Sequence, residues 1–324
     1  MDFLFPTIVT SYQDPWEKCS SDSTLFSVLT SSIAPVLHPI TGIYSNIALA
    51  MTPLIPAPPS LSDVMQAPVE RVRLYTPREE SFAELIFPGF EPDALIWSIS
   101  LFQIGEFLLS LALSPAVNPG MPTPCTLYHL GASWGPSIAA GQLWRLVLPM
   151  TLHANMMHLF FNIFFQLRMG FNMEKCWGKK RFMGLYVFCG IVGNMISVAV
   201  DPYKLAVGAS TAGFGLIGVW MAELVLSWDL LGPHRDRSLV WLAFMGSAVI
   251  MMSAGSANVD MFGHLGGAIG GFLLAVVVSD MPDQYKPVWY EAFKYWARVG
   301  LLGLVGGCAL KIGVFTPRIP LPAC

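Results

Sequence analysis

Seven apolar runs decide what this chain can become. They fall at roughly 94–115, 147–167, 182–200, 206–227, 238–256, 261–279 and 297–315. A helix needs about 17–25 mostly apolar residues to cross the hydrocarbon of a bilayer. Only helices and closed barrels satisfy their backbone groups there. The pattern therefore predicts an all-α, polytopic membrane protein. Composition agrees: 54% of residues are hydrophobic and 12% are charged, against about 25% charged in a soluble domain. Mean hydropathy is +0.57. The runs are separated by short polar clusters such as EKCWGKKR (174–181), DPYK (201–204) and GPHRDR (232–237). No soluble catalytic domain fits between them, so any chemistry takes place in or at the membrane, among lipid. A net charge of −3 offers no field that would favour nucleic acid.

Lys and Arg set the expected orientation, because they accumulate on the cytosolic side. With a cytosolic N-terminus, fourteen of them fall in cytosolic segments. Four fall on the other side: Arg145, Lys204, Lys311 and Arg318. The N-terminus is expected inside and the C-terminus outside. Three parts follow. Residues 1–92 are a Pro/Ser-rich cytosolic region, 93–280 hold six spans, and 281–324 hold a loop, a seventh span and a short tail. The run Ile33–Ile55 contains Pro35, Pro39 and Pro53 and has no basic flank, so it is a poor span and a poor signal peptide. The first 92 residues are also not Arg-rich, which argues against a mitochondrial transit peptide. The six cysteines form no CxxC pair, so neither a zinc site nor a disulfide framework is expected. With Cys324 at the final position, no CaaX prenylation box is expected either.

Polar residues inside spans are costly, by about 2.5–3.5 kcal/mol for an ionisable group, and mark function by default. The first span holds Glu106. The second holds His153, His158 and Asn162. The fourth opens with Ser210 and has Glu223 near its far end, and the sixth holds His264. Ser210 and His264 each lie about four residues into their spans, roughly 6 Å below the outer edge at 1.5 Å per residue. His158 and Asn162 are four residues apart and share a helical face. His153, five residues before His158, sits about 140° around an ideal helix and is expected to face elsewhere as a structural residue.

Glycines supply a way to bring two spans together. Gly263, Gly267 and Gly271 form one small-residue ridge in the sixth span, and Gly266 and Gly270 form another. Such ridges let helix backbones approach closely in membranes. The fourth span offers Gly208, Ala209, Ala212, Gly213 and Gly215 in return. If the two pack near their outer ends, Ser210 meets His264 as a nucleophile meets its base. The bland alternatives are a serine that caps a helix and a histidine satisfied in the core. An acyl-transfer site also needs oxyanion donors. An N–H of His158, the amide of Asn162 and the Ser210 backbone amide are candidates, the last because the first amides of a helix lack partners within it. Asp260 shares a face with His264 but is not expected to act as a third catalytic group.

These residues resemble the rhomboid family of intramembrane serine proteases, over about 144–275. WR at Trp144–Arg145 looks like the family's first-loop signature. HANMMHLFFN (153–162) has its pattern of His, five on His, four on Asn. Glu174 and Gly178 resemble its turn between the second and third spans. GAS at Gly208–Ser210 matches the GxS nucleophile motif, and DMFGHLGG (260–267) resembles Asp-x-x-Ala-His-x-Gly-Gly. The resemblance implies a rhomboid-like six-helix core plus a C-terminal helix. It implies Ser210 as nucleophile and His264 as general base in a dyad, with His158 and Asn162 stabilising the oxyanion. Gly208 would allow close backbone approach, while His153, Trp144 and Arg145 would support the structure. It also implies an endopeptidase for transmembrane substrates that needs no metal or cofactor. The six-plus-one arrangement is similar to members of the plasma membrane and secretory pathway, more than to the mitochondrial branch. Two positions depart from the pattern. Thr211 stands where many members have Gly, and Gly263 replaces the usual Ala, a smaller residue not expected to block the dyad.

A catalytically silent relative that binds membrane clients would share this fold, but retention of both Ser210 and His264 favours the enzyme. A proton-relaying transporter would need an acid–His chain across the bilayer. The inner halves of the core spans offer little beyond Glu223.

Overall fold

Among the described residues the apolar runs fold as helices, some of them started by a side-chain cap or joined by a glycine turn. The computed structural model describes residues 89–115, 120–231 and 259–319, most of 235–247, and positions 83, 86, 87, 321 and 324. The N-terminal region up to residue 82 and most of the expected fifth span (238–256) lie outside the described residues. In chain order the helices are α1 (Leu95–Leu113), α2 (Pro124–Leu130), α3 (Gly135–Ala139), α4 (Met156–Trp177), α5 (Lys179–Val200), α6 (Ser210–Leu226), α7 (Met261–Val278) and α8 (Tyr290–Phe315). The described positions between 235 and 247 are helical as well. Among the described residues the one departure from helices and turns is an isolated antiparallel bridge between Ser133 and Ala206. Helices α1, α5, α7 and α8 are long and apolar enough to cross a membrane, and α6 is a shorter apolar helix.

Several boundaries differ from the sequence reading. The second span does not start at 147. Residues Leu143–Leu146 and Leu148–Thr151 form two 3₁₀ turns, and α4 begins at Met156. Pro149 breaks the run, and the Asn155 side chain restarts it by accepting from the His158 amide at 2.8 Å. The helix then continues to Trp177, ten residues beyond the expected end. Helix α8 starts at Tyr290 rather than 297. At the far end of the bundle, Glu174 of α4 accepts from the Leu95 and Ile96 amides at 2.7 and 2.9 Å. A carboxylate at these orphan donors caps α1 and complements its dipole. Gly178, with φ of 76°, makes the turn from α4 to α5.

The glycine ridges of α7 face two different partners. A Cβ at Gly267 or Gly271 would overlap the carbonyl oxygens of Thr211 and Gly215 on α6, whereas Cβ atoms at Gly266 and Gly270 would press on Ile196 and Val192 of α5. Helix α7 is thus wedged between α6 and α5 at backbone-contact distance. In lipid, where apolar burial gives helices little drive to associate, this close packing is what holds them.

A closed polar ring joins α1, α4 and α5. Gln103 Nε2 donates to Tyr186 OH at 3.3 Å, Tyr186 OH to Gln166 Oε1 at 2.7 Å, and Gln166 Nε2 to Gln103 Oε1 at 2.6 Å. The remaining amide hydrogens go to the Met150 carbonyl at 3.0 Å and Ser100 Oγ at 2.8 Å. All four side chains are buried. Tyr186→Phe should therefore lower stability by about 1–3 kcal/mol, the cost of an orphaned buried partner. The check is the thermal midpoint in one fixed detergent, and an unchanged midpoint would contradict the ring's role.

The expectation of no disulfide is corrected. Cys125 on α2 and Cys324 are bonded across 199 residues. Spacing could not reveal the pair, because it is the return of the chain after α8 that brings the tail to the loop.

Candidate active site

The chain enters the site through Gly208. Its amide donates to the Pro149 carbonyl at 2.8 Å, and its φ of 128° is open to glycine and strained for other residues. A Cβ there would also lie 2.8 Å from Cε1 and Nε2 of His158. The backbone then turns into α6, with Ala209 at the N-cap and Ser210 as the first helical residue. Ser210 therefore opens its helix, which starts later than the apolar run suggested. It does not cap the helix. Its Oγ is 2.8 Å from Nε2 of His264.

His264 sits one turn into α7, where its neighbours leave it few orientations. Asp260 Oδ1 accepts from the Gly263 amide at 3.0 Å and caps α7. The Phe214 ring stacks on the imidazole, with centroids 4.3 Å apart and planes 12° apart. Nδ1 of His264 is buried without a hydrogen-bond partner among the described residues. Asp260 is thus engaged as a cap through one of its oxygens. Sequence reasoning missed Phe214. The available signal was its place four residues after Ser210, on the same face of α6. Gly263 has its own reason to lack a side chain: a Cβ would overlap Asp260 Oδ2 and approach Thr211 Cγ2 at 3.0 Å.

His158 and Asn162 share one face of α4 as the spacing predicts. The His158 imidazole lies against Gly208, and its Nδ1 is the acceptor for the Ala154 amide at 3.5 Å, which leaves Nε2 as the N–H donor. Asn162 Nδ2 donates to the His158 carbonyl at 2.7 Å. One amide hydrogen is thereby used within the helix and the other is left for a ligand. His153 does not face away as expected. It is fully buried, and its ring meets the His158 ring edge to face at 5.4 Å. The helical phase argument fails because His153 precedes the start of α4.

Trp144 and Arg145 part company. Trp144 is exposed, whereas Arg145 is buried. Arg145 donates to the Tyr128 and Ala132 carbonyls at 2.6 and 2.9 Å and to Gln142 Oε1 at 2.7 Å. Its guanidinium lies 4.1 Å from the centre of the Tyr128 ring. Arg145 organises the loop between α1 and α4 and does not reach the Ser210–His264 pair. Glu223 lies at the other end of α6 and accepts a hydrogen bond from the Trp177 indole. Among the described residues there is no His/Cys/Asp/Glu group that could hold a metal ion.

Residues 140–281 match the Rhomboid domain family. "Rhomboid-like protease 1" of Toxoplasma gondii is 40% identical over 227 residues, covering 69% of this chain and 75% of the relative. The chain belongs to the rhomboid family. "Rhomboid-like protease 2" of the same organism is 36% identical over 223 residues, 68% of this chain and 78% of its own length. "Putative rhomboid protease YdcA" of Bacillus subtilis is 35% identical over 160 residues, 49% of this chain and 76% of the relative. Family membership and the apolar helices together make this rhomboid an integral membrane protein.

Proposed function

We propose that this rhomboid is an intramembrane serine endopeptidase that cleaves transmembrane protein substrates with a Ser210–His264 dyad. The observation that carries the reading is the 2.8 Å approach of His264 Nε2 to Ser210 Oγ, made across the α6–α7 contact. His264 takes the hydroxyl proton as Ser210 attacks the scissile carbonyl. Negative charge develops on the carbonyl oxygen beside the first amide of α6, the Nε2–H of His158 and the free amide hydrogen of Asn162. His264 then gives its proton to the leaving amine, and water hydrolyses the acyl-enzyme by the same route in reverse. Phe214 holds the imidazole plane through both transfers. The names of the relatives, rhomboid proteases, support the same activity.

The orientation we favour places the N-terminus in the cytosol. The Lys/Arg distribution supports it. Ser210 then lies near the outer face of a plasma membrane or secretory-pathway membrane. Residues 1–92 form a cytosolic region, 93–280 the catalytic core, and 281–324 the added seventh helix with its loop and tail.

The test is cleavage of a single-span substrate with small residues in its outer half, co-reconstituted in liposomes. Wild type should cleave within the span. Asn162→Ala should slow kcat by roughly ten- to a hundredfold, less than the full cost of about 10²–10³ for a principal oxyanion donor, because His158 and the helix amide remain. A wild type that leaves every such substrate intact would count against the reading. Equal and complete loss in Asn162→Ala would give that residue a larger part than one donor among three.

A further inference from the structure

Helix α8 lies outside the matched Rhomboid domain, as does Cys125. It is buried only at Tyr290, Ala297, Leu301 and Ile312, yet its last turn and tail are fixed at three points to the loop between α1 and α4. Ile312 packs with Ile138 of α3, together with Met195 and Val198 of α5. The Trp134 indole donates to the Ile319 carbonyl at 3.4 Å. Cys324 is disulfide-bonded to Cys125 on α2.

The same loop is the neighbour of the nucleophile's approach segment. Leu127 of α2 packs with Ala132 and Leu152, with Leu205 and Val207 against them. Ser133 and Ala206 exchange backbone hydrogen bonds at 2.9 and 3.1 Å, and the Gly135 amide donates to the Pro202 carbonyl at 3.0 Å. Gly208 is tied to Pro149 in turn. A continuous set of contacts therefore runs from the tail of α8, through α2 and the Ser133–Ala206 bridge, to the residue two before Ser210.

We infer that the α8 tail is a covalent strap that positions the Leu205–Gly208 segment, with Cys125 and Cys324 as positioning residues for the Ser210–His264 pair. The strap acts through the loop and touches no substrate. It gives the seventh helix a function at the site that its sparse packing against the core would not provide. The kinetic part of this inference rests on the proposed protease activity, whereas the structural part does not.

The experiment compares full-length wild type with the Cys125→Ser/Cys324→Ser double variant in liposomes. A third protein carries a site-specific protease sequence after Thr316 and is cut only after folding, so that its disulfide stays but its link to α8 is lost. Non-reduced peptide mapping should recover a Cys125–Cys324 peptide from wild type. Amides of residues 131–134 and 205–208 should exchange faster in both altered proteins. Their kcat should fall roughly tenfold at nearly constant KM, well within the hundredfold that a misplacement of about 1 Å can cost. Absence of the bonded peptide would overturn the strap. So would wild-type exchange and wild-type kcat in the altered proteins, even with a lowered thermal midpoint, because the bond would then stabilise without positioning. If wild type does not cleave at all, the protease reading fails, and the exchange data still decide the strap.

Discussion

Ser210→Ala should abolish cleavage, by roughly 10⁴-fold or more in kcat, as expected when the nucleophile of a two-step acyl transfer is removed. His264→Ala should cost about as much. Groups that act as a unit lose nearly everything when either member goes, so the double variant should be little worse than either single one. The fold should survive Ser210→Ala, because the side chain neither caps α6 nor fills a packed interface. Its hydroxyl contacts the imidazole that would activate it. The measurement is single-turnover cleavage of a co-reconstituted substrate, with thermal midpoints recorded on the same preparations. Turnover near the wild-type rate in Ser210→Ala would remove the dyad from the mechanism. A collapse of the midpoint would instead show that Ser210 has a structural part.

Gly267→Val should be the most damaging substitution away from the reacting atoms. A Cβ at Gly267 would overlap the carbonyl oxygen of Thr211, the residue directly after the nucleophile. That obstacle is backbone, so no side chain can rotate away and the helices must separate. Overpacking of this kind costs about 1–3 kcal/mol of stability. Parting α6 from α7 also lengthens the Ser210–His264 hydrogen bond, and a misplacement of about 1 Å there should lower kcat by a hundredfold or more. Gly303→Val on α8 is the matched control, since nothing lies within 4 Å of a Cβ at that position. It should leave both stability and activity near wild type. Equal effects at the two glycines would mean that added bulk anywhere in the bundle is harmful, and that the α6–α7 contact has no special part.

The helices and the central pair were legible because each follows from a short-range rule. Apolar run length marked α1, α5, α7 and α8, and small residues at four-residue spacing marked the ridge that meets α6. The ridge in turn made a Ser210–His264 contact reasonable from spacing alone. What failed depended on where helices start or on how distant segments meet. His153 was misplaced because a helical phase was applied to a residue upstream of the Asn155 cap. The start of α6 was set too early because apolarity continues through the Leu205–Ala209 turn, where the backbone is no longer helical. The Cys125–Cys324 bond and the Gln103–Gln166–Tyr186 ring are long-range pairings of ordinary residues. Nothing in their local sequence distinguishes them from idle cysteines and glutamines. Phe214 lies between these cases: its spacing from Ser210 was readable, but an aromatic residue in an apolar helix carries no mark of its use.

The central claim is that Ser210 is an activated nucleophile, and covalent labelling tests it most directly. Wild type, Ser210→Ala and His264→Ala, reconstituted in liposomes, would be exposed to a fluorophosphonate probe, and the modified residue located by peptide mass spectrometry. The account predicts an adduct on Ser210 in wild type only. Labelling of wild type at another residue, or labelling that persists in His264→Ala at the wild-type rate, would contradict it.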